Sequence, residues 1–291
     1  ALEIKEKILA KFELEGESES VLVSFTERPF HAKELAGEYA LRYGEDCIIF
    51  ACGGDGTINE VANGIFGSKT PMGIIPIGTG NDFVKSAYKL RNPEKLIENL
   101  FDYNIETVDC AQIDNRIFMN VSSMGFDTVV AEKAKQLVKK FKFLGKFAYF
   151  AAIFVCLAGK DYFKIKYKMT NDKNFDEPVV SEGEVEFVLA AFANGKSYGG
   201  MFTPCPDASI KDGLIDVCIA KRLSTMKIIS LIPRYIRGTH INNPAVKMYK
   251  ITKAHIEGVG ENLLVNCDGE SFIRESIDIE IIPDGIKLAV Y

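Results

Sequence analysis

Two glycine-rich loops, Gly53-Gly54-Asp55-Gly56-Thr57 and Pro76-Ile77-Gly78-Thr79-Gly80-Asn81-Asp82, each follow directly on an apolar run. The first run, residues 47–52 (Cys-Ile-Ile-Phe-Ala-Cys), is short, β-rich and bounded by glycine, so it reads as a buried strand. The second, residues 72–77, reads the same way. Between them, residues 58–65 repeat apolar side chains at helical spacing and stop near Gly64 and Gly67. Strand, loop, helix and strand make a βαβ unit, expected parallel and right-handed. In such sheets ligands sit at the carboxyl ends of the strands, so both loops fall on one rim.

Glycine permits positive φ and lets an anion approach bare backbone. A helix N-terminus aims N–H groups and a positive dipole end at that anion. Asp55 repels a phosphate unless a cation lies between them, so this loop implies Mg²⁺ together with phosphate. Such an arrangement suits a nucleoside triphosphate. Thr57 suits a phosphate oxygen or a helix cap. A tight strand-to-helix turn with Asp55, Thr57, Asn81 and Asp82 as caps remains open from the residues alone.

At 291 residues the chain is expected to form two domains. Up to residue 109 the pattern alternates: a helix over 1–15, a strand over 19–25, a helix over 32–43 ending at Gly44, then the two loops. A helix over 83–90, another over 94–104 and an extended segment from 105 complete an α/β unit. From 110 the character changes. Segments 115–123, 160–169, 182–194, 213–220, 246–256, 263–267 and 276–291 are strand-like and mostly alternating, which reads as a β-sandwich with a few helices. A cleft between the two units is the expected ligand site.

Composition narrows the function classes. A net charge of −5 argues against a nucleic-acid binder and against attachment to anionic membranes by overall charge. Seven Cys without a Cys-x-x-Cys pair read as free thiols of a reducing compartment, and three His (His31, His240, His255) leave little for a histidine-built metal centre. Residues 1–15 are a charged amphipathic helix instead of a signal peptide, so a cytoplasmic location is expected. Residues 133–159 combine clustered lysines with phenylalanines. Their 12-residue apolar core, 147–158, falls about eight residues short of a bilayer span. This segment is either a surface that docks on anionic lipid or a solvated helical face leading into a core helix.

Read at full length, Gly53-Gly54-Asp55-Gly56-Thr57-Ile58-Asn59-Glu60-Val61-Ala62-Asn63-Gly64 and Pro76 to Phe83 resemble the signature of the diacylglycerol kinase catalytic domain. That family includes bacterial lipid kinases and sphingosine kinases. NAD kinases and phosphofructokinases share the Gly-Gly-Asp-Gly element alone, and the extension to Asn63-Gly64 plus the second loop selects lipid kinases. The resemblance implies a three-layer α/β nucleotide-binding domain over 1–109. A β-sandwich lipid domain follows over 110–291, with the extreme C-terminus packing back on the first domain. Family members open with a strand carrying an Asn-Pro-x-Ser-Gly loop, which this sequence does not contain.

By the same resemblance, Gly53, Gly54, Asp55, Gly56, Thr57, Gly78, Thr79, Gly80 and Asn81 hold ATP, and Asp82 joins the catalytic group. Cys267-Asp268-Gly269-Glu270 reads from its residues as a plain Asp-Gly hairpin. The resemblance makes Asp268 the general base and Glu270 a nucleotide contact. Asp109 matches an aspartate beside the base, or is a cap. Asp212, Leu214 (through its carbonyl) and Asp216 match a structural Mg²⁺ site, or form a hairpin turn. Residues 195–201 are expected to shape the lipid side of the cleft. The implied activity is ATP- and Mg²⁺-dependent phosphorylation of a lipid hydroxyl, by default diacylglycerol to phosphatidate. The enzyme would act transiently at a membrane surface, as a homodimer and without nucleic acid. An NAD kinase-like small-molecule kinase and a catalytically silent lipid- or nucleotide-sensing module are the alternatives.

Overall fold

β1 (Ile49–Gly53) and β2 (Met72–Pro76) lie parallel, in register from Ile49 opposite Met72 to Gly53 opposite Pro76, and α3 (Asp55–Ile65) connects them. The computed structural model describes residues 2–140, 152–153, 155–157, 162–173 and 179–291. Every residue of β2 is buried, as its unbroken apolar run dictates. α1 (Leu2–Leu14) and α2 (His31–Tyr43) precede the sheet. α2 buries Ala32, Ala36 and Ala40 at i, i+4 spacing and packs on α3. Gly64 permits that approach: a Cβ there would sit 2.4 Å from the Lys33 carbonyl oxygen. α4 (Asp82–Ala87) and α5 (Pro93–Glu98) follow β2. α5 starts on a proline, with the Asn92 side chain accepting from the Lys95 N–H.

Several local expectations differ from the fold: the strand expected over 246–256 breaks at Thr252 into two, and the helix expected over 83–90 ends at Ala87. Residues 19–25 form no strand: a 3₁₀ turn at Ser18–Ser20 gives way to irregular chain with Leu22 and Phe25 exposed. No strand edge is paired there, so β propensity has nothing to act on. The helix expected over 94–104 ends at Glu98, where Asn99, Asp102 and Asn104 favour local side-chain bonds over helix. The strand expected over 115–123 breaks into β4 (Arg116–Phe118) and β5 (Val121–Gly125).

β3 (Asn104–Ile113) and the last strand, β13 (Ser276–Val290), join the two halves. β13 pairs with β3 along both, beside β10 (Lys253–Gly258) at its start and β2 at its end, where Leu288 faces Met72. A bulge between Ile282 and Ile286 interrupts it, with Asp284 at φ 53°. The positions that enter the cores are odd-numbered before the bulge (Ile277, Ile279, Ile281) and even-numbered after it (Ile286, Leu288). The irregularity therefore re-aims one strand from the second core into the first.

The remainder is antiparallel. β10 is followed in the sheet by β6 (Phe163–Thr170), β7 (Val179–Ala193), β5, β11 (Leu263–Cys267) and β12 (Glu270–Arg274). β8 (Ile215–Lys221) adds to β7, and β9 (Val246–Ile251) to β8. β7 divides two cores by alternation, with Ala190 and Phe192 in one and Leu189, Ala191 and Ala193 in the other. α6 (Phe126–Lys140) and α7 (Thr225–Ile236) cover the latter face, together with helical residues 152–153 and 155–157. All seven Cys are free. Among the described residues no helix is long and apolar enough to cross a membrane. Most of the lysine- and phenylalanine-rich stretch expected as a lipid-docking surface lies outside the described residues.

Leu288 is fully buried where β13 meets β2. Leu288→Ala is expected to cost about 2–5 kcal/mol, read as a lower urea midpoint. An unchanged midpoint would mean that this strand end does not support the first core.

Candidate active site

The two glycine loops touch backbone to backbone. A Cβ on Gly78 would lie 2.3 Å from Gly54 Cα, and one on Gly53 would meet Thr57 Oγ1 at 2.4 Å. The Ile77 N–H donates to the Gly53 carbonyl at 3.0 Å. Asn81, at φ 48°, closes the second loop by donating to the Gly78 carbonyl at 3.0 Å, and its buried Oδ1 has no partner among the described residues. Gly56 and Thr79 are exposed on the rim. Asp55 opens α3 and accepts the Phe83 N–H at 3.1 Å. Asp82 opens α4, pairs with Lys85 Nζ at 2.6 Å and accepts the Gly200 N–H at 2.7 Å. The two carboxylates flank Gly80, where a Cβ would meet Asp55 Oδ2 at 3.0 Å and Asp82 Oδ2 at 3.3 Å. Burial pushes the Asp55 pKa up and the Asp82 charge adds to it, against the Phe83 N–H.

Asp268 reaches this rim from the far end of the sequence. It sits in the β11–β12 turn at φ 46°, followed by Gly269 at φ 92°, the left-handed pair that Asp-Gly supplies in a two-residue hairpin. Its Oδ2 accepts from the Met119 N–H at 2.7 Å and from Asn59 Nδ2 at 2.8 Å. Oδ1 accepts from the Val121 N–H at 2.9 Å. The Asn120 N–H is shared between both oxygens at 3.2 and 3.3 Å. Asn59 lies on α3, just past the first glycine loop, so one side chain links that loop to the carboxylate. Burial pushes the Asp268 pKa up to about 6, opposed by the Met119, Val121 and Asn59 donors and reinforced by the Asp55 charge. Asn63, one turn beyond Asn59, donates to the Ile117 carbonyl and accepts its N–H, knitting α3 to β4.

Glu270 pairs with Arg116 at 2.9 Å, and that guanidinium lies 5.2 Å from the Phe272 ring. Asp109 is buried in a joint of three segments. It accepts the Gly213 N–H at 2.7 Å and the Asp284 N–H of the β13 bulge at 3.0 Å. It does not touch Asp268 directly. Asn194 connects them by donating to the Asp109 carbonyl at 2.8 Å and the Met119 carbonyl at 2.7 Å.

A metal at Asp212, Leu214 and Asp216 meets a different arrangement. Lys250 Nζ lies 3.0 Å from Asp212 Oδ2 and 3.1 Å from Asp216 Oδ2. The Leu214 N–H donates to Asp212 Oδ1 at 3.2 Å, and Lys173 Nζ bonds the Asp212 carbonyl. The Asp212 and Asp216 carboxylates already face the Lys250 ammonium group and as folded do not fit a divalent cation. Among the described residues no group of three or more Asp, Glu, His or Cys converges as a metal site. The Asp55–Asp82 pair is a better match for the Mg²⁺ that a nucleotide carries, because such an ion needs only one or two carboxylates beside the phosphates.

Residues 195–201 bridge this rim to an apolar cleft. On one side the Gly200 carbonyl accepts Lys85 Nζ at 2.9 Å, and Ser197 accepts Asn120 Nδ2 at 2.7 Å. On the other, the Tyr198 hydroxyl donates to Asp127 Oδ2 at 2.6 Å, and burial pushes the Asp127 pKa up. The cleft encloses about 610 Å³ including its open mouth, and Phe126, Val130, Phe202, Leu231 and Tyr235 are among its walls. Asn59, Lys85, Asn120 and Lys250 have tasks in this site that their sequence neighbourhoods do not assign. Only Asn59 carried a signal, as a polar position inside the first glycine motif.

The diacylglycerol kinase catalytic domain family matches residues 3–113, and the YegS C-terminal NAD kinase beta sandwich-like domain matches residues 120–290. The chain is 30% identical over 267 residues to a diacylglycerol kinase of Bacillus subtilis (strain 168), covering 91% of this chain and 83% of that protein. It is 29% identical over 255 residues to a diacylglycerol kinase of Mycobacterium tuberculosis (strain ATCC 25618 / H37Rv), covering 86% and 78%. A crystal structure of a diacylglycerol kinase from Bacillus anthracis str. Sterne shares the fold, with a TM-score of 0.65 at 22% identity over 90% of this chain and 82% of the other.

Lys250→Met leaves the Asp212 and Asp216 carboxylates without their cation. The expected result is a loss of about 1–2 kcal/mol, because Lys250 is half exposed, that millimolar Mg²⁺ partly restores. Thermal melts with and without Mg²⁺ check this, and a wild-type melting temperature that itself drops on chelation would reverse the assignment.

Proposed function

This chain belongs to the diacylglycerol kinase catalytic-domain family and is a lipid kinase, and from that premise we propose that it transfers the γ-phosphoryl group of ATP to diacylglycerol, giving phosphatidate. The carrying observation is the position of Asp268. A single carboxylate is tied through Asn59 to the helix of the first glycine loop and through Asn120 to the segment that borders the apolar cleft. In this reading the backbone N–H groups of both loops hold the phosphates, with Asn81 and Thr57 completing the cradle. Asp55 and Asp82 would hold Mg²⁺, which supplies charge neutralisation on the phosphates.

The substrate hydroxyl needs a lone pair on Asp268, and all its near positions are filled. The shared Asn120 N–H makes the longest of these bonds, so it is the one that yields to the incoming hydroxyl. Asp268 then takes the hydroxyl proton as the oxygen bonds to the γ-phosphorus. The bond from that phosphorus to the β–γ bridging oxygen breaks, and ADP leaves. Met119, Val121 and Asn59 keep the carboxylate aimed throughout. Lys85 fixes the 195–201 bridge against Asp82, setting the distance between phosphate rim and cleft. An apolar cleft suits acyl chains and offers little to a soluble dinucleotide, which favours a lipid over an NAD-type acceptor.

An ATP-turnover assay across a lipid panel tests the substrate: diacylglycerol in mixed micelles is expected to stimulate ADP release, and NAD is not. The base must be ionised to work, so kcat/KM should climb about tenfold per pH unit below about pH 6 and level off above it. A flat profile through that range would sink the assignment. Asp268→Asn should lose about 10²–10⁴-fold in kcat/KM while fluorescent-nucleotide binding persists. Asp55→Ala is expected to abolish the Mg²⁺-dependent part of ATP affinity. Titration calorimetry with and without the metal reads this, and retained metal dependence would move the cation elsewhere.

A further inference from the structure

The helix that walls the apolar cleft has an outward side that the proposed reaction does not use. α7 turns Ile228, Leu231, Ile232 and Tyr235 onto the cleft, the i, i+3, i+4, i+7 spacing of one helical face. Away from that face Met226 is 75% exposed and Ile229 40% exposed, with Pro233 exposed on the same stripe. Val155 is 50% exposed on the neighbouring helical residues, whose Leu157 belongs to the cluster against which Ile228 and Ile232 pack. Beside the apolar stripe runs a basic one: Lys227, Ser230, Arg234 and Arg237 follow at i, i+3, i+7 and i+10, all exposed.

The charge of this stretch is opposite to that of the molecule. Residues 221–239 contain Lys221, Arg222, Lys227, Arg234 and Arg237 and no acidic residue, in a chain of net charge −5. Arg222 is paired with Glu186. Lys227, Arg234 and Arg237 take part in no ion pair among the described residues. Apolar side chains held in water next to unneutralised cations suit a surface that is itself apolar below and anionic above.

We propose that the outer face of α7 docks on an anionic lipid bilayer. Met226, Ile229 and Pro233 enter the acyl boundary while Lys227, Arg234 and Arg237 meet lipid phosphates. Docked this way, the cleft behind α7 lies against the membrane. That last step rests on the lipid-kinase reading, whereas the docking itself does not. A second copy of this chain is a poorer occupant, because a two-fold contact through this face brings its cations together.

The experiment is cosedimentation of the full chain with phosphatidylcholine vesicles, with and without phosphatidylglycerol. It uses wild type and two surface variants, Met226→Asp/Ile229→Asp and Lys227→Glu/Arg234→Glu, whose melting temperatures confirm folding. Wild type is expected to bind only the anionic vesicles, less so in high salt, and each variant to bind at least about tenfold more weakly. The variants should phosphorylate dispersed short-chain diacylglycerol normally and vesicle-embedded diacylglycerol poorly. Variants that bind like wild type, a wild type that ignores anionic vesicles, or self-association that the variants abolish would each overturn the docking face. If vesicle binding falls as expected and no form phosphorylates lipid, docking stands and the kinase reading fails.

Discussion

The Asp268 carboxylate holds the junction of this protein together. Where the chain breaks between β4 and β5, the Met119, Asn120 and Val121 N–H groups turn to Asp268. Unpaired, those donors would be costly to bury. Asp268 supplies the acceptors, and Asn59 brings a donor from α3 to complete the set. The same interaction that closes the fold places a buried carboxylate near the glycine loops, and burial then raises its pKa into the range useful to a base. In the proposed reaction, structural and chemical roles coincide in this one side chain.

A second constraint works on a larger scale. β13 contributes alternate residues to the second core, bulges at residues 282–286, and then supplies Ile286 and Leu288 to the first. Asp109 grips that bulge through the Asp284 N–H while holding the Gly213 turn, so the point where the strand changes core is fixed by a buried carboxylate. Nearby, Lys250 neutralises Asp212 and Asp216 across β8 and β9. Motion between the halves must disturb this joint. The 195–201 segment links the rim to the cleft, anchored by Asp82 and Lys85 on one side and Asp127 on the other.

Much of this was legible in the sequence. The apolar runs entering Gly53 and Gly78 announced parallel strands, and the loops, α2, α3 and most of the antiparallel strands lie close to where periodicity puts them. Residues 19–25 misled because β-rich composition does not create a pairing partner. The split between β4 and β5 was invisible, since Met119 and Asn120 leave the ladder for an acceptor nearly 150 positions away. Asn59 belongs to the first glycine motif, yet its task depends on the same distant partner.

The sequence by itself determined the local chemistry: glycines where an anion must approach backbone, carboxylates beside them, and an Asp-Gly pair whose left-handed preference forces a hairpin. Those properties reside in a few consecutive residues, so they survive without a fold. Tertiary structure alone decided which groups meet. It set Asp268 on Asn59, Asp109 in a joint away from Asp268, and Lys250 between two carboxylates expected to face a metal, and it left the basic face of α7 exposed. Burial, charge pairing and pKa depend on neighbours brought together in space, and one-dimensional spacing does not encode those distances.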